Sequence, residues 1–434
     1  MPNRFRSSSV VSCLFLLGVA TSMLHAQQNK AIYSEAEVPE YTLPDPLVAE
    51  DGTKIESASQ WTERRRPELL ELFEKEVYGK APPAPEKISY EVTESSDDAL
   101  GGIARRRQVA IQLTDDPKGP VLNVLMYLPK TDKPVPTFMT LNFYGNASIN
   151  SDPAIHLPEG WLRNNKEKGV EDHKATEKLR GASEARWPVE TIVKNGYGLA
   201  TAYYGDIDPD YDDGFQNGIH PYFYEEGQTK PKPDQWGSIA AWAWGLSRAM
   251  DYLEENPEID GEKVIVMGHS RLGKTSLWAG ATDPRFAAVI SNNSGCGGAA
   301  LSRRRFGESV KRINTSFPHW FCDNFVQYNH NEDACPVDQH QLIALMAPRP
   351  CLVCSAEGDR WADPRGEFLS AHYASPVYEL LGVEGLTTEK MPPVEQPVLS
   401  RLGYVIRTEE HNVKPRDWDR YMKFADAHVV GKKD

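Results

Sequence analysis

The spacing of apolar positions divides the chain into two regimes. Between residues 89 and 143 apolar and polar side chains largely alternate, so residues 89–92, 107–113, 121–128 and 137–143 read as strands, the last a core strand running into Tyr144-Gly145-Asn146. Beyond residue 188, short apolar runs alternate with stretches of helical spacing. Strands are predicted over 198–204, 264–267, 287–290, 350–355 and 402–407; helices over 188–194, 237–255, after Ser270, around 342–346 and from about Pro415. Ahead of both regimes, residues 61–78 predict a helix with Leu69, Leu70, Leu72 and Phe73 on its apolar stripe. Antiparallel strands followed by alternating strands and helices predict a three-layer α/β sandwich around a mostly parallel sheet.

The most informative stretch is Lys263 to Trp278. A β-branched run ends at Gly268, one residue, Ser270, follows His269, and helical spacing begins at once. A serine perched between strand and helix is a nucleophile elbow, with Gly268 permitting a tight turn and free helix N–H groups facing a developing oxyanion. The motif departs from G-x-S-x-G, because Leu272 stands where the second glycine belongs and Gly273 comes one later. An elbow in this order of elements predicts the α/β-hydrolase fold. A serine hydroxyl needs a histidine base oriented by a carboxylate, and in this fold the chain order is nucleophile, acid, histidine. His411, after the strand at 402–407 and before the last helix, is the expected base, and His428 is read as a surface residue of the terminal helix. Asp359 is the preferred acid, Glu357 the alternative, and Asp363 a cap for a helix starting near Pro364.

The remaining segments frame that centre. Arg4 and Arg6, an apolar stretch over 10–23 and Ala26 before Gln27-Gln28-Asn29 read as a cleaved signal peptide over 1–26, predicting an exported protein, periplasmic or secreted. Residues 27–60 read as an extended arm and 61–434 as the catalytic domain, with a polar insertion near 146–186 lacking clear strands. The formal net charge of −14 argues against a nucleic-acid partner, and no later apolar run is long enough for a membrane span. A monomer is expected. Five carboxylates at Asp206, Asp208, Asp210, Asp212 and Asp213 lack the glycine and closing glutamate of a calcium loop and read as a solvated loop. No His/Cys spacing suggests a zinc site, and no metal or other cofactor is called for. Cys351 and Cys354 fall in a strand and read as buried thiols facing opposite sides, while Cys322 and Cys335 flank a loop and could form a disulfide.

Gly268-His269-Ser270-Arg271-Leu272-Gly273-Lys274, the stretch from Phe317 to Phe325, Pro336-Val337-Asp338-Gln339-His340 and Trp361-Ala362-Asp363-Pro364 together resemble the glucuronoyl esterases of carbohydrate esterase family 15, especially its bacterial branch, over most of residues 60–430. The resemblance implies a serine esterase cleaving the ester between 4-O-methyl-glucuronate side chains of xylan and lignin alcohols, with glucuronoxylan and lignin–carbohydrate esters as its partners. It implies Ser270 as nucleophile, His411 as base and Arg271 as oxyanion donor. Lys274 would meet sugar hydroxyls, Glu308 and Trp361 would complete the uronate pocket, and Gln339 and Trp320 are further pocket candidates. Two positions depart from the fungal pattern. Asn293 replaces the glutamate that serves as acid, which leaves Asp359 for that role, and His269 and Asn412 replace a disulfide-bonded cysteine pair. Two other readings stay open: a carbohydrate acetyl esterase or general carboxylesterase, and a non-catalytic uronate-binding protein.

Overall fold

The computed structural model describes residues 31–432. Its strands are β1 (Ser89–Asp98), β2 (Ala104–Gln112), β3 (Val121–Pro129), β4 (Val135–Asn142), β5 (Val170–Glu171), β6 (Lys174–Ala175), β7 (Gly198–Tyr203), β8 (Ile259–His269), β9 (Ala288–Asn292), β10 (Cys351–Ala356) and β11 (Leu402–Arg407). The helices that matter here are α1 (Arg66–Phe73), α2 (Val189–Lys194), α3 (Ser238–Glu255), α4 (Arg271–Thr282), α5 (Val310–Ser316), α6 (Gln339–Ala344), α7 (Pro364–Leu380) and α8 (Pro415–Ala425).

Nine strands form one sheet in the order β1-β2-β3-β7-β4-β8-β9-β10-β11. The pairs from β1 to β7 are antiparallel and those from β7 to β11 parallel. Strands β1 to β3 of the alternating regime form one end of the sheet, whereas β4, the last strand of that regime, lies between β7 and β8 in the parallel part. The parallel strands are covered on both faces, which is why β7, β9, β10 and β11 are buried at every position instead of alternating. One apolar cluster joins the sheet to α1, α3, α4, α6 and α7; the other joins the opposite face to α2 and α8. Cys351 belongs to the first cluster and Cys354 to the second, as strand alternation requires. Trp242 and Trp278 anchor one layer and Trp418 the other, all three buried. Among the described residues no helix is long and apolar enough to cross a membrane.

Several expectations are corrected. The helix expected over 61–78 begins earlier, at Ala58, and π-helical turns at Trp61–Arg65 and Glu74–Tyr78 flank α1. The insertion is not strandless, since β5 and β6 form a small hairpin within it. Cys322 and Cys335 are free buried thiols, each pushed up to about 12 by burial, and form no disulfide. His428 is half-buried, its Nε2 2.7 Å from the Leu399 carbonyl. The acidic loop is not simply solvated: Asp208 and Asp210 are buried. Asp208 accepts from Ser238 Oγ at 2.5 Å and lies 3.1 Å from His220 Nδ1, tying the loop to the start of α3. The arm over residues 31–60 lies along the chain ahead of Glu308, with Ile32 bridging Phe306 and Glu35 paired with Arg304 at 2.7 Å. The proposed signal segment lies outside the described residues.

Candidate active site

Strand β8 delivers Ser270 to the C-terminal end of the sheet, and α4 starts at the next residue. Ser270 has φ 59° and ψ −128°, a conformation an L-residue holds only when its surroundings enforce it. Three hydrogen bonds do so: Ser270 N–H donates to the Asn292 carbonyl at 2.9 Å, and the N–H groups of Gly273 and Lys274 donate to its own carbonyl at 2.9 and 3.1 Å. Gly268 is required by close approach, because a Cβ there would lie 1.9 Å from the Leu272 carbonyl oxygen. Leu272 in place of the usual second glycine is accommodated as a buried core residue of α4. The Arg271 N–H, at the first helical position, has no intrahelical acceptor and is free to serve an oxyanion.

The loops after β10 and β11 bring the other two members together. His411 Nδ1 lies 2.5 Å from Asp359 Oδ2, and the Asp359 side chain is buried. The same oxygen accepts from Asn293 Nδ2 at 2.8 Å, so the asparagine orients the acid it has not itself supplied. Glu357 is exposed on the same loop, and Asp359 is the carboxylate on His411. Asp363 caps α7 as expected, accepting from the Gly366 N–H at 3.0 Å. The His411 ring packs 4.5 Å from that of His269, whose Nδ1 is 2.8 Å from Asn292 Nδ2. Burial and the neighbouring His411 hold His269 well below the usual imidazole range, so it remains neutral. Among the described residues no hydrogen bond joins Ser270 Oγ to His411. The His411 side chain is 42 % exposed, and its ring reaches solvent beside the elbow.

Arg271 is held by a residue that the sequence reading had assigned to solvent. Asp210, wholly buried, takes the Arg271 guanidinium, Tyr204 OH at 2.8 Å, Trp320 Nε1 at 2.8 Å and His319 Nε2 at 3.0 Å. Burial alone would raise its carboxyl; the His319 hydrogen bond, the Arg271 charge and the Trp320 N–H overcome that and hold it at about 2. The guanidinium also lies over Trp320 at 4.8 Å, Phe317 at 5.5 Å and Phe143 at 5.8 Å. Nothing in the local sequence separates Asp210 from its four neighbouring carboxylates. Only the folded loop places it under Arg271.

The expected pocket residues fall into two groups. Lys274 is buried in α4, its Nζ bonded to the Ser294 carbonyl and 5.9 Å above the Trp320 ring. Burial lowers its pKa while Glu308 acts to raise it, and burial raises that of Glu308 while Lys274 acts to lower it. The two charges act on one another, and among the described residues no ion pair joins them. Glu308 is bonded through its N–H to the Trp361 carbonyl at 3.0 Å, and Trp361 is 39 % exposed. Gln339 and Trp320, like Lys274, are buried with their donors engaged. Gln339 Nε2 donates to the Gly298 carbonyl at 2.6 Å, and Trp320 stacks on Phe317 at 3.7 Å with its N–H on Asp210. The side-chain N–H groups of both are therefore committed to acceptors within the protein.

The fungal glucuronyl esterase family profile matches residues 223–382. The chain is 52 % identical over 428 residues to Carbohydrate esterase MZ0003 of an unknown prokaryotic organism, covering 97 % of this chain and 99 % of that one. It is 28 % identical over 397 residues to 4-O-methyl-glucuronoyl methylesterase 1 of Wolfiporia cocos, covering 87 % and 83 %. Among solved structures, a promiscuous CE15 esterase from a marine bacterial metagenome superposes with a TM-score of 0.87 at 54 % identity, over 92 % of this chain and all of that one. A glucuronoyl esterase from Solibacter usitatus superposes with a TM-score of 0.86 at 49 % identity, over 90 % and 99 %. A chain with this elbow, this acid–histidine pair and these relatives belongs to carbohydrate esterase family 15, the glucuronoyl esterases.

Proposed function

We propose that the protein hydrolyses esters of 4-O-methyl-glucuronate through a glucuronoyl-enzyme on Ser270, acting on the bonds between glucuronoxylan side chains and lignin alcohols. His411 takes the Ser270 proton as Oγ attacks C6 of the uronate ester. The Arg271 N–H and its Asp210-held guanidinium stabilise the oxyanion, and the alcohol leaves with the proton from His411. Water, deprotonated by His411, then attacks the acyl-enzyme and releases the uronate and free Ser270. Asp359 keeps Nδ1–H of His411 oriented throughout. The observation that carries this reading is the 2.5 Å Asp359–His411 pair beside the elbow. The Arg4–Ala26 pattern supports export, to be checked by N-terminal sequencing for a mature chain beginning at Gln27.

The test is hydrolysis of benzyl glucuronate beside p-nitrophenyl acetate by wild type and Ser270→Ala. Preference for the glucuronate ester, abolished in the variant, is expected. Equal or exclusive acetate cleavage would favour a general esterase, a reading to which the promiscuous CE15 relative lends some weight. Uronate binding without turnover would make the protein a binding module.

A further inference from the structure

Two cations near His411 form no ion pair with any carboxylate among the described residues. The Lys168 ammonium lies 5.3 Å from the centre of the Tyr144 ring and donates to the Ala182 carbonyl at 2.8 Å and to Ser183 Oγ at 3.4 Å. The Arg186 side chain forms neither hydrogen bond nor ion pair with any described residue, and burial lowers its pKa. Lys168 is lowered by burial and then by Arg186, so the two cations feel each other with no carboxylate between them. Lys166, Lys174 and Lys178 of the same insertion also lack an ion pair among the described residues, but they are exposed, whereas the partly buried arginines nearby have one. Within the same insertion Arg180 pairs with Glu177 at 2.6 Å, and Arg106 beside it holds Glu94 at 2.8 Å. Arg186 shares a recess with Phe143, Tyr144, Ser183, Trp187 and His269, and the His269 ring touches that of His411. Phe143 separates this recess from Arg271, lying 6.2 Å from His269 and 5.8 Å from the guanidinium.

We propose that Arg186 and Lys168 form a carboxylate-binding subsite beside His411, for an acid group the substrate carries outside the uronate under attack. Partly desolvated cations without a counter-ion favour an incoming anion, and the guanidinium fork matches a carboxylate. The aromatic rim suits an anion borne on a ring. Two sources share that chemistry: an acid-bearing aromatic alcohol as leaving group, or an unesterified uronate next along the glycan. The substrate assignment rests on the esterase reading above, whereas binding to the recess does not.

The experiment has a kinetic and a binding arm. Wild type should cleave 4-carboxybenzyl glucuronate with roughly tenfold higher kcat/KM than benzyl glucuronate, and Arg186→Gln or Lys168→Gln should remove that advantage while leaving benzyl glucuronate within about twofold. Calorimetry with 4-(hydroxymethyl)benzoate and with free glucuronate, on wild type, Arg186→Gln and Lys274→Ala, separates the sources. Binding of the benzoate lost only in Arg186→Gln points to the alcohol; binding of glucuronate lost only there points to the glycan. Binding of neither acid, or binding that survives Arg186→Gln, overturns the subsite. If wild type cleaves no glucuronate ester yet binds a carboxylate through Arg186, the esterase reading fails and the subsite stands.

Discussion

At position 293 the chain has an amide where the resemblance to fungal members implies an acid, and the structure gives that amide a partner. Asn293 Nδ2 and His411 Nδ1 converge on one oxygen of Asp359, fixing the carboxylate from two directions. Asp359→Asn should lower kcat by about 10³- to 10⁴-fold, by presenting His411 with the wrong tautomer, while the exposed Glu357→Gln should stay within about twofold. Steady-state kinetics on benzyl glucuronate decides between them. Asp210 acts one residue further out, through Arg271. Asp210→Asn should cost roughly 10²-fold, mainly in kcat, because the guanidinium is needed most where negative charge develops. A change confined to KM would instead make Asp210 part of ground-state binding.

At the scale of the element, the β8–Ser270–α4 turn stores strain. A positive φ at a serine costs on the order of 1–3 kcal/mol, tolerated because Asn292 and the first turn of α4 hold the peptide from both sides. Ser270→Gly should therefore raise stability by about 1 kcal/mol while abolishing hydrolysis, the gain reduced by the greater freedom of glycine in the unfolded chain. Gly268→Ala should do the opposite, losing about 3 kcal/mol or more, since its Cβ would lie within 1.9 Å of a backbone oxygen in the same turn. Urea unfolding of both variants measures the two signs. Ser270→Gly less stable than wild type would mean that the turn is relaxed.

At the scale of the whole molecule, one buried carboxyl couples stability to pH. Glu367, near the start of α7, accepts from the Gly295 N–H at 2.9 Å and Ser355 Oγ at 2.5 Å, and burial pushes it up to about 8. Its folded value lies above its ordinary 4.5, so between those two pH values the folded state holds a proton that the unfolded chain has released. Stability from this group is full below about pH 4.5 and declines as pH rises towards 8, by at most about 1.4 kcal/mol per unit. Glu367→Gln keeps an acceptor for the Gly295 N–H and reverses the Ser355 bond, its amide N–H donating to the hydroxyl, and it should reduce the fall in Tm between pH 5 and pH 8. An unchanged slope would assign that titration elsewhere.

What the sequence determined by itself was whatever depends on local order. The apolar runs marked the sheet, the elbow motif marked the strained turn at Ser270, and the loops after the last two strands marked the Asp359–His411 pair, because in a parallel sheet the strand ends converge wherever the chain goes between them. Tertiary structure alone decided what depends on which side of a loop faces inward. Asp210 and Asp212 are equivalent in sequence, yet one is buried beneath Arg271 and the other faces water. That Gln339 and Trp320 commit their side-chain N–H groups to Gly298 and Asp210 is likewise set by packing. Arg186 and Lys168 carry no motif, and their lack of a counter-ion is visible only once every neighbour is in place. Periodicity and chain order are written along one dimension; the partners of a charge are set by packing in three.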